Sequence, residues 1–137
     1  MKEINSYLNF PGTTREALTF YSEALGAELQ LISYADVPGD FPPEAKDKIM
    51  HARLSKGNTL MMATDALPDR PLTRGNDVWM YLNCESLAEI ERLFPMFAEG
   101  GKVQMPLHDA FWGARFGVLR DRFGVGWMFS FDQPKQG

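Results

Sequence analysis

Hydrophobic spacing switches along the chain between alternation, which marks a strand with one buried face, and a three-to-four residue recurrence, which marks an amphipathic helix. Ile4 to Phe10 alternates and predicts a first strand. Ala17, Leu18, Tyr21 and Leu25 recur at helical spacing, so a helix is expected from about Thr14 to Leu25, stopped by Gly26. A strand at Glu28 to Tyr34 follows, then Asp36 to Pro43, where prolines and glycine oppose regular pairing and predict a mobile surface loop. Ile49 to Ser55 and Thr59 to Thr64 read as a hairpin turning on Lys56-Gly57-Asn58. Pro68, Asp69, Arg70, Pro71, Arg74 and Gly75 then mark a connection over residues 66–76.

The order then repeats. A strand at Asp77 to Asn83 leads to a helix from Leu87 to about Ala98, and Pro95 should kink that helix or end its first part. Strands are expected at Lys102 to Met105, Ala114 to Arg120 and Val125 to Phe131, the last two joined by a tight turn at Asp121-Arg122-Phe123-Gly124. Each half thus reads strand, helix, three strands, with modules at 1–65 and 77–131 and a tail at 132–137. A repeated phrase supports the duplication: Tyr7-Leu8-Asn9-Phe10 and Tyr81-Leu82-Asn83-Cys84. Each copy precedes a capping-box pattern, Thr13-Thr14-Arg15-Glu16 and Ser86-Leu87-Ala88-Glu89, in which hydroxyl and carboxylate satisfy free amides at a helix start.

Alternation also sorts faces. Leu8 and Phe10 should pack under the first helix, leaving Asn5, Tyr7 and Asn9 opposite. Val78, Met80 and Leu82 should pack inward, leaving Trp79, Tyr81 and Asn83 opposite. In the last strand Val125, Trp127, Phe129 and Phe131 form the helix-facing set and Met128 lies on the other side. The second faces combine aromatic rings with amides, as a site for a small organic ligand would.

The chain has 137 residues with 45% hydrophobic content, enough for one compact domain with a real core. Eighteen acidic residues against fourteen basic ones give a formal charge of −4, and no basic run tracks a phosphate backbone, so nucleic acid is not an expected partner. Cys84 is the only cysteine, which excludes an internal disulfide. No apolar run approaches the ~20 residues that span a bilayer, and Met1-Lys2-Glu3-Ile4 lacks a secretory apolar stretch. A cytoplasmic protein without membrane contact is the expectation.

Phe20-Tyr21-Ser22-Glu23-Ala24-Leu25-Gly26 and Asp121-Arg122-Phe123-Gly124-Val125-Gly126-Trp127-Met128, together with the paired modules, resemble the vicinal oxygen chelate superfamily of glyoxalases, bleomycin-resistance proteins and extradiol dioxygenases. Tyr7-Leu8-Asn9-Phe10, Met50-His51-Ala52-Arg53-Leu54 and Phe111-Trp112-Gly113-Ala114-Arg115-Phe116-Gly117 are similar to its PhnB-like branch, also labelled 3-demethylubiquinone-9 3-methyltransferase-like. The resemblance implies an α+β fold: two tandem βαβββ modules forming a curved, cup-shaped mixed β-sheet with helices on the outside, in a homodimer. A methyltransferase activity is not expected, because the chain is too short for a doubly wound nucleotide-binding domain and has no glycine-rich loop between a strand and a helix.

The resemblance also implies a divalent metal held by histidine and glutamate on four strands. Its ligand positions fall at Asn5 or Ser6, Met61 or Met62, near Trp79, and at Met128. Thioether sulfur and neutral amide are poor partners for hard or borderline ions, so no metal and no cofactor is expected. His108, followed by Asp109, is the weak catalytic candidate, while His51 reads as an ordinary half-buried or surface histidine. Cys84 lacks a neighbouring cation and reads as inert. Arg115 and Arg120 are candidates for attracting an anion, though strand arginines more often solvate an edge. Trp127 reads as core, and Trp112 as closing a cavity mouth. The expected ligand set is Asn5, Tyr7, Asn9 and Met62 in the first half, with Trp79, Tyr81, Trp112 and Met128 in the second. The expected function is binding of a small amphipathic or aromatic ligand. A glyoxalase- or dioxygenase-like enzyme and a drug-sequestering protein of the bleomycin-resistance kind are the alternatives.

Overall fold

The computed structural model describes residues 1–134. Residues 135–137 of the expected tail lie outside the described residues. The chain divides into two compact units, Met1–Thr73 and Arg74–Gly137, so the boundary falls within the 66–76 stretch.

In the first unit the order is β1 (Ser6–Phe10), α1 (Thr14–Leu25), β2 (Glu28–Ser33), β3 (Ile49–Lys56) and β4 (Thr59–Asp65), and the sheet order is β1-β4-β3-β2. β1 runs parallel to β4 with Tyr7 opposite Met62, while β3 is antiparallel to both β4 and β2. Ser6, Leu8 and Phe10 share a face with Met61, Ala63 and Asp65, the side that α1 covers with Ala17, Leu18, Tyr21 and Ala24. Burial follows this: Phe10, Ala52, Leu54, Met61 and Ala63 are all enclosed. α1 ends as expected, with Gly26 in the left-handed conformation at φ 65° and its N–H bonded to the Ser22 carbonyl. Its start does not form the expected capping box. Thr13 makes no side-chain cap, and the Thr14 amide is instead bound at 2.9 Å by Asp65 Oδ1, a carboxylate from the end of β4. Asp65 Oδ2 accepts from the Ile49 amide at 2.8 Å, so one buried side chain ties together a helix start, the start of β3 and the end of β4.

The second unit repeats the topology with β5 (Met80–Asn83), α2 (Leu87–Ala98), β6 (Lys102–Asp109), β7 (Ala114–Arg120) and β8 (Gly126–Asp132), in the order β5-β8-β7-β6. Here the capping box is present. Ser86 Oγ accepts from the Glu89 amide at 3.0 Å, and Glu89 Oε1 accepts from the Glu85 amide, one residue before the cap, at 2.9 Å. Pro95 does not end the helix, which runs on to Ala98. Phe94 and Phe97 of α2 meet Phe129 edge-on at 5.5 and 5.2 Å, and Trp127 packs on Phe97 at 5.1 Å, so the helix-facing half of β8 is as expected. Asp121 closes the β7–β8 turn by accepting from the amides of Phe123 and Val125, and its second oxygen holds the Trp127 indole N–H at 2.9 Å.

Several boundaries differ from expectation. β1 starts at Ser6 and β5 at Met80, so Val78, expected inside, is 77% exposed ahead of its strand. β6 extends to Asp109 through Pro106, because it is an edge strand whose pairing shifts register twice, and an edge tolerates a missing donor. The segment between β2 and β3 contains two single-turn 3₁₀ elements, Tyr34–Asp36 and Pro43–Ala45, and buries Ala45.

Candidate functional site

The face of the first sheet away from α1 carries Tyr7 and Asn9 of β1 beside Met62 and Thr64 of β4. The row continues from Met62 to Arg53 and then to Gln30. Met61, the other candidate position, lies under α1, because successive strand residues point to opposite sides. Ser6 shares that covered side, and Asn5 stands before the strand, half-buried. His51 is half-buried and shares a 3.2 Å hydrogen bond between its Nδ1 and the Tyr7 hydroxyl, their rings 5.8 Å apart. Thr64 is spoken for, its hydroxyl donating to the Met50 carbonyl at 2.7 Å.

At the carboxyl ends of β1 and β4 this face opens into a cavity of about 600 Å³. Asn9 and Thr64 line it from the sheet, Tyr34 and Phe41 supply two rings with centres 4.8 Å apart, and the exposed Asp69 and Arg70 add two charges. Gly39 permits the aromatic contact: at φ 143° a side chain is strained, and a Cβ there would stand 2.9 Å from the Phe41 ring. Sequence reasoning missed Tyr34, Phe41, Asp69 and Arg70: Tyr34 reads as the end of a strand, Phe41 as loop, and Asp69 and Arg70 as connection. Phe41, an aromatic ring inside a proline- and glycine-rich stretch, is the available signal.

The corresponding face of the second sheet holds Tyr81 opposite Met128, with Val118 and Met105 continuing the row. The next row is Asn83, Ser130, Phe116 and His108. Trp112 stands edge-on to Phe116 at 5.3 Å and to Phe111 at 5.1 Å, at a hairpin tip where Trp112 is half exposed and Phe111 fully so. Trp79 precedes its strand and lies over Gly126, where a Cβ would clash with the indole at 2.5 Å. The Arg120 guanidinium covers the same ring at 5.0 Å while donating to the carbonyls of Gly124 and Gly75. Arg120 is therefore committed to packing, and Arg115 to Glu91 and Asp109 at 3.2 and 3.4 Å.

His108 lies in β6 rather than in a loop. Its Nδ1 is 2.9 Å from the Pro106 carbonyl, an acceptor, so this contact uses Nδ1 as the donor. Asp109 does not orient that ring: its Oδ1 accepts from Arg115 and from the Gln133 amide at 2.9 Å. Cys84 is buried, and desolvation, with the Glu89 charge second, pushes its thiol up from 9.0 to about 12, the opposite of an activated nucleophile.

The chain matches the Glyoxalase/Bleomycin resistance protein/Dioxygenase superfamily over residues 3–129 and belongs to that family. Protein YjdN of Escherichia coli (strain K12) is 30% identical over 97% of this chain and 99% of its own length. Among solved structures, protein PA1353 from Pseudomonas aeruginosa is 45% identical with a TM-score of 0.90, covering 98% of this chain and all of that one. The PhnB protein of Bacillus cereus is 26% identical with a TM-score of 0.79, over 95% of this chain and 99% of that one. The residues at the positions that the resemblance assigns to a metal do not fit a divalent ion. Met62 and Met128 offer thioether, Trp79 offers a packed indole, and among the described residues no three of His, Cys, Asp and Glu come together as a donor set.

Proposed function

We propose that this chain is a PhnB-like protein that binds a small amphipathic or aromatic ligand without the superfamily's metal. The observation that carries the reading is the 600 Å³ cavity of the first unit, which lies in the size range of small-molecule sites and pairs an aromatic wall with a few polar groups. Asn9 lines it, Tyr7 and Met62 stand on the same sheet face outside its lining, Asn5 precedes the strand, and Tyr81, Trp112, Met128 and Trp79 supply the second unit's amphipathic surface. Methionine suits such a surface because thioethers adapt to irregular apolar shapes. The same reading carries a homodimer working in the cytoplasm on small molecules rather than on nucleic acid or membrane. In support, no helix of the described residues is long and apolar enough to cross a bilayer.

Thermal-shift screening against aromatic metabolites and antibiotics, run beside Ni, Fe, Mn and Zn, tests the proposal, because a ligand selective for the folded state raises its melting temperature. A small organic hit with no response to metal is the expected outcome. Stoichiometric retention of a metal after dialysis overturns it in favour of the enzyme reading. A tight aromatic or glycopeptide drug complex with no product formed identifies sequestration. Light scattering at micromolar concentration checks the dimer.

A further inference from the structure

Around the first unit's cavity, the side chains of Tyr34, Asn9, Thr73, Asp69 and Arg70 engage no other described residue in a hydrogen bond or ion pair. The other carboxylate at the cavity, Asp65, is occupied by two backbone amides. The groups left for a ligand are therefore one anion, one cation, three neutral polar tips and the rings of Tyr34 and Phe41.

This inventory discriminates among ligands by charge. A dianion such as a phosphate monoester would meet one guanidinium against two carboxylates, Asp65 and Asp69, and is disfavoured. A simple amine would satisfy Asp69 but lie against Arg70, and a simple carboxylate has the converse problem. A neutral aromatic compound would use the rings and leave both charges without a partner. A ligand carrying an ammonium and a carboxylate a few ångströms apart, on an aromatic body, gives both charges a partner and the rings a face to pack on. Arg70 has the planar fork that suits a carboxylate.

Resting on the ligand-binding reading above, we propose that this cavity takes a zwitterionic aromatic ligand of the α-amino acid class. The carboxylate pairs with Arg70, the ammonium with Asp69, and the ring stacks against the Tyr34 and Phe41 wall.

Calorimetric titration of the full chain with four probes tests it: L-tyrosine, 3-(4-hydroxyphenyl)propionate, tyramine and p-cresol. Losing one charge-assisted contact should weaken binding about tenfold or more, so tyrosine is expected to bind best. The variants should cross over. Arg70→Gln weakens tyrosine and the propionate and strengthens tyramine, while Asp69→Asn weakens tyrosine and tyramine and strengthens the propionate. Both side chains are exposed, and a merely structural role would move all probes together. If p-cresol binds as well as tyrosine, or the variants fail to cross over, the zwitterion assignment falls while the small-ligand reading stands. If none of the four binds at millimolar concentration, the aromatic-ligand reading of this cavity falls with it.

Discussion

The two units share one topology yet secure their helices by different means, and the difference separates what a local sequence encodes from what only the folded chain supplies. α2 starts on Ser86 and Glu89, a cap made within five residues of chain. α1 starts on Asp65, which lies 51 residues from Thr14. The packing differs in the same spirit. α1 lays Ala17, Leu18, Tyr21 and Ala24 on a sheet face of Phe10, Ala52, Leu54, Met61 and Ala63, whereas α2 drives Phe94 and Phe97 onto β7 and β8, where Gly117 leaves room for the Phe94 ring. The second unit thus fits a ring into a gap that a glycine leaves.

Removing Asp65 should break the first unit most severely. Asp65→Ala leaves two buried amides without acceptors, at about 1–3 kcal/mol each, so urea unfolding is expected to show a loss of about 2–6 kcal/mol. An unchanged midpoint would show that water replaces the carboxylate. In the second unit Gly117→Ala places a Cβ 2.6 Å from the Phe94 ring, and overpacking of that kind costs about 1–3 kcal/mol. The double variant Gly117→Ala with Phe94→Leu should recover part of the loss if that ring is the cause.

The Cys84 thiol adds a pH signature to the second unit. Its folded pKa is raised from 9.0 to about 12, so the neutral thiol's advantage is fully present below pH 9 and is lost as pH rises towards 12. Stability should fall as pH rises through that window, and comparison with Cys84→Ala isolates the thiol from other groups titrating there. Iodoacetamide should accordingly leave the folded protein unlabelled at pH 8. The smallest effect sharpens the comparison of caps: Ser86→Ala should cost about 1 kcal/mol, while Thr13→Ala, whose hydroxyl caps nothing, should stay within about 0.5 kcal/mol. Equal losses would mean that Thr13 serves α1 in another way.

Both helices, the β3–β4 hairpin at Gly57 and the Asp121 turn were legible because each depends on residues close in sequence. The α1 cap was misread for the converse reason, since Thr13 and Glu16 satisfy the pattern but the better acceptor arrives from another strand. Trp79 was placed on the correct face from alternation, yet its engagement by Arg120 and Gly126 is a tertiary fact that spacing does not carry. Pro106 similarly suggested the end of a strand, whereas an edge position removed the penalty. The cavity was hidden most completely, because Tyr34 and Phe41 meet only after the chain folds back at Gly39.

Asp65 has a consequence for the order of events in folding. The carboxylate reaches the Thr14 and Ile49 amides only once β4 has been laid beside β1 and β3, so the first turn of α1 is completed by a contact that closes a long loop. An excised α2 peptide carries its own starting signal, and an excised α1 peptide leaves part of its signal behind. Nucleation in the amino-terminal half is thereby tied to assembly of its sheet, so this helix and its strands should arrive together.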